Sequence, residues 1–490
     1  MRKLVLAIDE GTTGVTALAL DGAAIVGRAY AEVPQAYPKP GWVEQDPLAI
    51  LETVRSVGRQ ALRRAKAAPR DVAAVGIANQ RETTVLWDRR TGAPVHPAIV
   101  WQDRRTAARC QELRPDWEGH VGLRTGLVLD PYFCATKLEW LLARRGLRAR
   151  AERGELAFGT VDAWLAFRLA GRHATDPTNA SRTLLWDIHR GAWDADLLEL
   201  FGVPAAVLPE VVPSSGVVGE TRAFGGSVPV AALVGDQQAA LFGQGCTRPG
   251  EAKTTYGTGA FLLQHTGGGA VRSHHGLLTT RAASPDARAQ FALEGSVFTA
   301  GAAIQWLRDQ LGLIAAAPDV DRLAAEVPDT AGVQVVPAFT GLGAPHWDPD
   351  ARGAILGLTR GADRRHLARA VLEAIALQST EVLHAMQRDS GHALPRLRVD
   401  GGAAKSALLL QMQADLLRIP VVRPANIETT AMGAGMLAGL ATGQWSLADV
   451  RAKRPGDATV RPKASAAEAS RRMAVWAKAV AAARAFTAGP

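Results

Sequence analysis

Cysteine is nearly absent from this 490-residue chain: Cys110, Cys134 and Cys246 are its only three, far apart and without metal-ligand spacing. That excludes a disulfide framework and a structural zinc site, and it points to a reducing compartment. No apolar run reaches the length of a membrane span. The opening Met1-Arg2-Lys3-Leu4-Val5 starts like a secretory signal, but Asp9 and Glu10 cut its apolar core short. A cytoplasmic protein with no membrane span is therefore expected. Charge of one sign is not concentrated either. The net charge is +9, yet arginine is scattered through stretches such as Arg55–Lys66 and Arg364–Arg369, interleaved with alanine and acidic residues. This pattern reads as solvated helix faces and argues against a nucleic-acid surface.

What is present is ample. The length suffices for two cores, and 47% hydrophobic with 21% charged residues is an ordinary globular balance. The organising stretch is Leu4–Leu20. Leu4–Ile8 reads as a buried strand, Asp9 ends it, Gly11-Thr12-Thr13-Gly14 turns it, and Val15–Leu20 returns. A carboxylate stands at one lip of this hairpin, with free N–H groups and two hydroxyls at its tip. Such a turn can nest a phosphate, and the carboxylate can hold Mg²⁺ directly or through water. Alone, the same residues serve an ordinary hairpin equally well.

Ala23–Tyr30 reads as a third strand. A helix follows, with Asp46 as its N-cap and Pro47 in its first turn, running over Leu48–Ala68 to a stop at Pro69. Val72–Ala78 is a compact strand, and this order belongs to an α/β domain with a mixed sheet. At the strand's end stand Arg81 and Glu82, a donor fork beside an acceptor-only carboxylate. Together they can grip adjacent hydroxyls, or form an ion pair at the surface. Trp101, after the run Ile99-Val100, floors a small pocket or packs in the core. Ala135–Arg145 and Leu156–Gly171 read as helices. The loop Asp176–Thr183 is rich in hydroxyls and amides, suited to a cleft or to capping. Val230–Val234 is a strand ending at Asp236, which suits an N-cap or catalysis. Ala464–Ala488 reads as a last Arg/Ala-rich amphipathic helix.

Near the midpoint the first design returns. Glu251–Leu263, with Tyr256-Gly257-Thr258-Gly259, is a second strand, Gly/Thr turn and strand. A third site, Leu397–Ala403, runs a strand into Gly401-Gly402 ahead of a helix at Ser406–Leu417, and glycine there allows a close approach to the backbone. Two domains of one design would clamp a nucleotide from both sides.

These residues, with Ile8–Thr13, Tyr37–Pro47, Gly76–Thr84, Asn179–Thr183, Gly235–Gln244, Gly301–Asp309, Val336–Pro345, Gly353–Glu373 and Asp400–Ala403, closely resemble the FGGY carbohydrate kinases from Lys3 to about Gly443. The resemblance implies an α/β fold of two actin-like (ribonuclease H-like) domains, 1–245 and 246–490, with the active site in the cleft between them. It implies ATP and Mg²⁺ as cofactors and transfer of phosphate to glycerol, giving sn-glycerol 3-phosphate. It also implies a homodimer or homotetramer. Arg81, Glu82, Tyr132, Asp236 and Gln237 would hold glycerol, with Trp101 and Phe261 as the apolar wall and Asp236 as general base. Thr12, Thr13, Gly14, Thr258, Gly301, Gln305 and Gly402 would contact the nucleotide, and Asp9 would stand near Mg²⁺. Four positions depart from the family pattern: Glu10 replaces a glutamine, Thr16 an arginine, Cys134 a small hydroxyl residue and Ser406 an asparagine that often touches adenine. The loop Gly219–Val228 lacks the features through which some relatives are regulated by fructose 1,6-bisphosphate or histidine phosphorylation. The rival readings are a related kinase acting on a longer polyol or a ketose, and an actin-like ATPase without a small-molecule acceptor.

Overall fold

The computed structural model describes residues 3–452 and 456–486. Two sheets organise the chain, and both follow one plan. In the first, β1 (Leu4–Gly11), β2 (Gly14–Asp21) and β3 (Ala24–Glu32) form an antiparallel meander. Helix α1 (Pro47–Arg64) leads to β4 (Val72–Asn79), which lies parallel to β1. The helices α2 (Cys134–Leu142) and α3 (Val161–Ala170) follow. β5 (Ser215–Thr221) and β6 (Val228–Gly235) then complete a six-stranded sheet in the order β5-β6-β4-β1-β2-β3. Helix α4 (Asp236–Gly243) carries the chain to the second sheet.

There β7 (Ala252–Tyr256) and β8 (Ala260–Gly267) repeat the hairpin, joined by β9 (Leu278–Arg281) and β10 (Phe291–Val297). Helices α5 (Gly301–Asp309) and α6 (Arg364–Ser390) precede β11 (Leu397–Asp400), which is parallel to β7. Next come α7 (Ala407–Leu417), β12 (Val421–Arg423), α8 (Thr429–Ala441), β13 (Ala458–Val460) and α9 (Ala466–Ala485). The seven strands stand in the order β9-β10-β8-β7-β11-β12-β13. Each sheet thus has a hairpin, a third antiparallel strand on one side and two parallel strands on the other. The parallel strands put their carboxyl ends on the edge where ligands of α/β sheets collect.

The first helix forms as its caps require: the Asp46 carboxylate accepts from the Leu48 N–H at 2.9 Å, and Ile50, Leu51, Val54, Val57, Ala61 and Leu62 are buried beneath it. It ends at Arg64, short of Pro69, because the chain turns left-handed at Lys66 (φ 53°). The stretch Leu156–Gly171 is not one helix. Leu156–Gly159, buried throughout, pairs antiparallel with Val85–Asp88, and only Val161–Ala170 is helical. Continuous burial without a polar face suits a strand covered on both sides. The last helix does more than its composition suggests. Trp476, Ala479, Val480 and Ala483 of α9 enter the core of the second lobe, while Arg472 bonds Glu373 at 2.7 Å. The expected end of that helix, 487–488, lies outside the described residues. Among the described residues no helix is long and apolar enough to cross a membrane, and the three cysteines are free and buried.

The lobes are held by an exchange of helices. α8, from the second half of the sequence, packs Ala431, Met432, Ala434, Met436 and Leu437 against Val5, Ala7, Ala74, Ala78 and Val234 of the first sheet. α4 crosses α8 backbone to backbone. A Cβ on Gly433 would lie 1.9 Å from the Ala239 carbonyl oxygen, and one on Gly243 would lie 2.1 Å from that of Thr429. Only glycine permits this crossing, since backbone cannot move aside as a side chain can. Gly433→Ala should therefore destabilise the protein by about 1–3 kcal/mol, the usual cost of overpacking, read as a lower midpoint in urea. An unchanged midpoint would mean that the crossing can spread apart at no cost.

Candidate active site

β4 delivers Arg81 and Glu82 to the seam, but they do not form a surface pair: both are buried. Arg81 forks onto Glu294 of β10, with Nη1 2.6 Å from Oε2 and Nη2 3.0 Å from Oε1. Its Nε lies 3.1 Å from Asp236 Oδ1 and 3.9 Å from Glu82 Oε1. Arg182 donates to Glu82 at 2.5 Å and stands 3.2 Å from Glu294. Two arginines and two glutamates thus lie under the cleft floor. Burial alone would raise Glu294, but Arg182 and Arg81 outweigh it and hold that carboxyl down, at about 2. Burial does prevail at Glu82, whose carboxyl is raised although Arg182 and Arg81 pull it down. Three buried donors here make no aligned hydrogen bond: Arg81 Nε, Arg182 Nη1 and Arg182 Nη2. Buried donors are rarely left so, and hydroxyl oxygens of a small polyol would satisfy them.

Glu82 is held in the left-handed region, φ 60°, where a residue with a side chain is strained. What holds it is its own carbonyl oxygen, which accepts from Lys137 Nζ at 2.8 Å and from Cys134 Sγ at 3.3 Å. The thiol is buried, and burial pushes it up to about 12, so Cys134 donates as a neutral group. The hydroxyl-rich loop fills both roles left open for it. Asp176 caps a short helix through the Asn179 N–H at 3.0 Å, Thr178 accepts from the Gly235 N–H at 2.8 Å, and Arg182 reaches the site.

Asp236 opens α4 but is not its N-cap; that position belongs to Gly235. Its carboxylate is a quarter exposed, and it accepts from the Gln237 N–H at 2.7 Å and Gln237 Nε2 at 3.1 Å. Three aromatic rings from separate elements form one wall. Trp101 packs edge-on against Tyr132 at 5.4 Å and Phe261 at 6.3 Å between centroids, and all three are half-buried. Trp101 Nε1 also donates to Thr12 Oγ1 at 2.8 Å, joining the wall to the first Gly/Thr turn.

At that turn Thr12 and Thr13 are partly or fully exposed, while Gly14 is buried and tight: a Cβ there would lie 2.6 Å from the Ala31 carbonyl oxygen. In the second turn Thr258 is exposed. The Gly301 N–H is spent on the Gly257 carbonyl oxygen at 3.0 Å, and Ala300 and Ala302 both donate to Thr258 O. Gly301 is thus required by its approach to the turn, where a Cβ would lie 2.5 Å from Gly257 O. Gln305 is exposed one turn along α5. Gly401 (φ 86°) lies against the Tyr256 backbone, whereas a Cβ on Gly402 would meet nothing within 4 Å. Glycine at 402 therefore leaves an open approach. Ser406 caps α7 through the Leu409 N–H at 3.0 Å and bonds Asp321, so its position serves the helix. Glu10, buried, accepts from Gln80 at 3.0 Å.

Among the described residues no group of three or more His, Cys, Asp or Glu side chains forms a ready metal site. The charges nonetheless suit a cation. Burial, and after it the charges of Asp236, Glu428 and Asp400, raise the Asp9 carboxyl well above its ordinary value. Like charges facing one carboxylate call for a counter-ion, and a single hard oxygen ligand suits Mg²⁺ that brings its waters and a substrate's phosphates.

The residues that sequence reasoning did not nominate are Arg182, Glu294, Lys253 and Lys137. Glu294 left a signal, as the one charged residue in the buried strand Phe291–Val297, and Lys253 stands alone in the strand before the second turn.

Paired sheets meeting over a carboxylate, a donor-lined polar floor and two Gly/Thr turns define a two-lobed, nucleotide-dependent phosphotransferase. Models of the FGGY family of carbohydrate kinases match this chain at 4–243 (N-terminal domain) and 252–442 (C-terminal domain). The chain belongs to that family. It is 58% identical over 448 residues to a glycerol kinase of Trichlorobacter lovleyi, covering 90% of each chain. It is 54% identical to one of Rhodopirellula baltica, over 98% of this chain and 90% of the other. The structure of Plasmodium falciparum glycerol kinase with ADP superposes with a TM-score of 0.92 at 33% identity, over 100% and 99% of the two chains. A xylulose kinase of Rhodospirillum rubrum gives 0.87 at 26%, over 99% of each.

Glu294→Gln should unfold more easily by about 3–5 kcal/mol at neutral pH, since it strands two buried guanidiniums. Because Glu294 is held below its ordinary 4.5, the deficit should be complete above that pH and shrink as pH falls toward about 2. Urea unfolding across pH measures it, and a deficit independent of pH in that window would contradict the ion pair.

Proposed function

We propose that this protein phosphorylates glycerol at the expense of ATP, forming sn-glycerol 3-phosphate and ADP. The observation that carries the reading is the quarter-exposed Asp236 carboxylate beside Arg81, above buried guanidinium donors that make no aligned hydrogen bond and next to the Trp101–Tyr132–Phe261 wall. A three-carbon polyol has hydroxyls for the floor and carbon–hydrogen faces for the rings. The glycerol kinases at 52–58% identity support the same substrate.

In the reaction a primary hydroxyl oxygen of glycerol attacks the γ-phosphorus, the bond to the ADP oxygen breaks, and the hydroxyl proton passes to Asp236. Arg81, Glu82 and Arg182 orient the acceptor, with Tyr132 and Gln237 beside them. Thr12, Thr13, Gly14 and the turn at Thr258 present N–H and hydroxyl donors to the phosphates, with Gly301, Gln305 and Gly402 bordering the nucleotide. Asp9 would hold Mg²⁺, which when bound neutralises charge on the phosphate oxygens. Closure of the lobes excludes water, the competing acceptor.

The division falls between 245 and 246, with the second domain lending Phe261 and Glu294 to the acceptor site. A cytoplasmic location agrees with the free buried cysteines, and a homodimer or homotetramer is the expected assembly.

ADP release should depend on glycerol, and Asp236→Asn should lower turnover at least ~100-fold, the scale for losing a general base, while glycerol still binds. Release at one rate with and without glycerol would refute the proposed activity. Near-normal turnover in the variant would remove Asp236 from the role of base.

A further inference from the structure

We infer that Lys253 is a positioning residue for phosphoryl transfer: from β7 it locks the Gln237 amide so that the amide nitrogen falls on the Asp236 carboxylate, beside the Gln237 backbone N–H. Lys253 is fully buried, and its Nζ lies 2.5 Å from Gln237 Oε1, 2.9 Å from Thr255 Oγ1 and 3.4 Å from the Phe261 carbonyl oxygen. An ammonium group only donates, so the amide must turn its oxygen toward Lys253. Its nitrogen then faces Asp236 Oδ2 at 3.1 Å, while the Gln237 backbone N–H holds Oδ1 at 2.7 Å. Flipped, the amide would set oxygen against carboxylate and nitrogen against ammonium, two repulsions in place of two bonds.

The lysine's position gives this contact its meaning. β7 runs from Lys253 into the turn Gly257–Gly259, so one strand carries both the phosphate-binding turn and the cation that orients the base. Asp236 belongs to the opposite lobe's strand end. The ammonium thereby sets acceptor and donor halves of the reaction in register. The charged groups facing it are Asp400, Asp236, Arg81 and Glu294. Burial lowers Lys253 to about 8, and the two aspartates resist that shift, so the group is charged at neutral pH.

The inference rests on Asp236 as the proton acceptor, and the experiment separates the two. Lys253→Met keeps the side chain's length and removes its charge. Its kcat should fall roughly 10- to 100-fold, the scale for a misplaced catalytic group, with KM for ATP and glycerol changed less than about threefold. The acid limb of its kcat–pH profile should move to higher pH, because a nearby positive charge is gone and the Gln237 amide is free to turn its nitrogen away from the charged carboxylate. Gln237→Leu should lower kcat and move the acid limb in the same direction, and the double variant's kcat should be no worse than the poorer single's. An unchanged kcat, a raised KM at normal kcat, an unmoved acid limb or multiplying losses would each overturn the inference. Should Lys253→Met fail to fold, judged by circular dichroism and ADP binding, Gln237→Leu decides by its own acid limb. Asp236→Asn serves as control: if it stays active the base reading fails, and if it is inactive beside a normal Lys253→Met only the lysine's role fails.

Discussion

A forked ion pair between Arg81 and Glu294 is the constraint from which the site follows. Each residue ends or interrupts a strand of a different lobe, and both are fully withdrawn from water. Burying such charges is costly unless geometry is good and further bonds complete it. The second arginine, Arg182, supplies the completion by serving Glu294 and Glu82 together. Because the fork admits one geometry, the two sheets meet in one orientation at the cleft floor. The exchange of α4 and α8 then holds the lobes at the far end of the seam.

Charge falls into two groups. Guanidiniums lie beneath, paired with glutamates, and keep donors that make no aligned hydrogen bond. Around Asp9 stand Asp236, Glu428 and the buried Asp400, an excess of negative charge felt at Asp9. A polar floor suits an uncharged acceptor, and an acidic cluster suits a cation arriving with phosphates. Lys253 reaches between the two groups and binds Gln237, next to Asp236. Glu82 is correspondingly strained, its positive φ kept by Lys137 and Cys134 on its carbonyl. The thiol supplies the donor that a hydroxyl would, so the departure at Cys134 preserves the bond.

Much of the fold was legible because its signals are local. The hairpins at Gly11–Gly14 and Tyr256–Gly259 declare themselves by apolar runs broken with glycine and threonine, and their recurrence implied two like sheets. Leu156–Gly171 misled because a buried strand and a buried helix share an unbroken apolar run, and its pairing partner is some seventy residues distant. The site was legible where a residue ends a strand, as Arg81, Glu82 and Asp236 do, or adds an aromatic to a polar cluster, as Trp101 does. Glu294 and Lys253 escaped notice because each sits inside a strand.

The sequence by itself determined the two hairpins, the recurrence of one design in both halves and the family, which rest on motifs legible within a few neighbouring positions. Tertiary structure alone decided that Arg81 pairs with Glu294 rather than with solvent, that Gly301 and Gly433 are glycines for backbone contact, and that Lys253 reaches Gln237 beside Asp236. Those relations join positions far apart in the chain, where only the meeting of the two lobes sets the distance and removes the water.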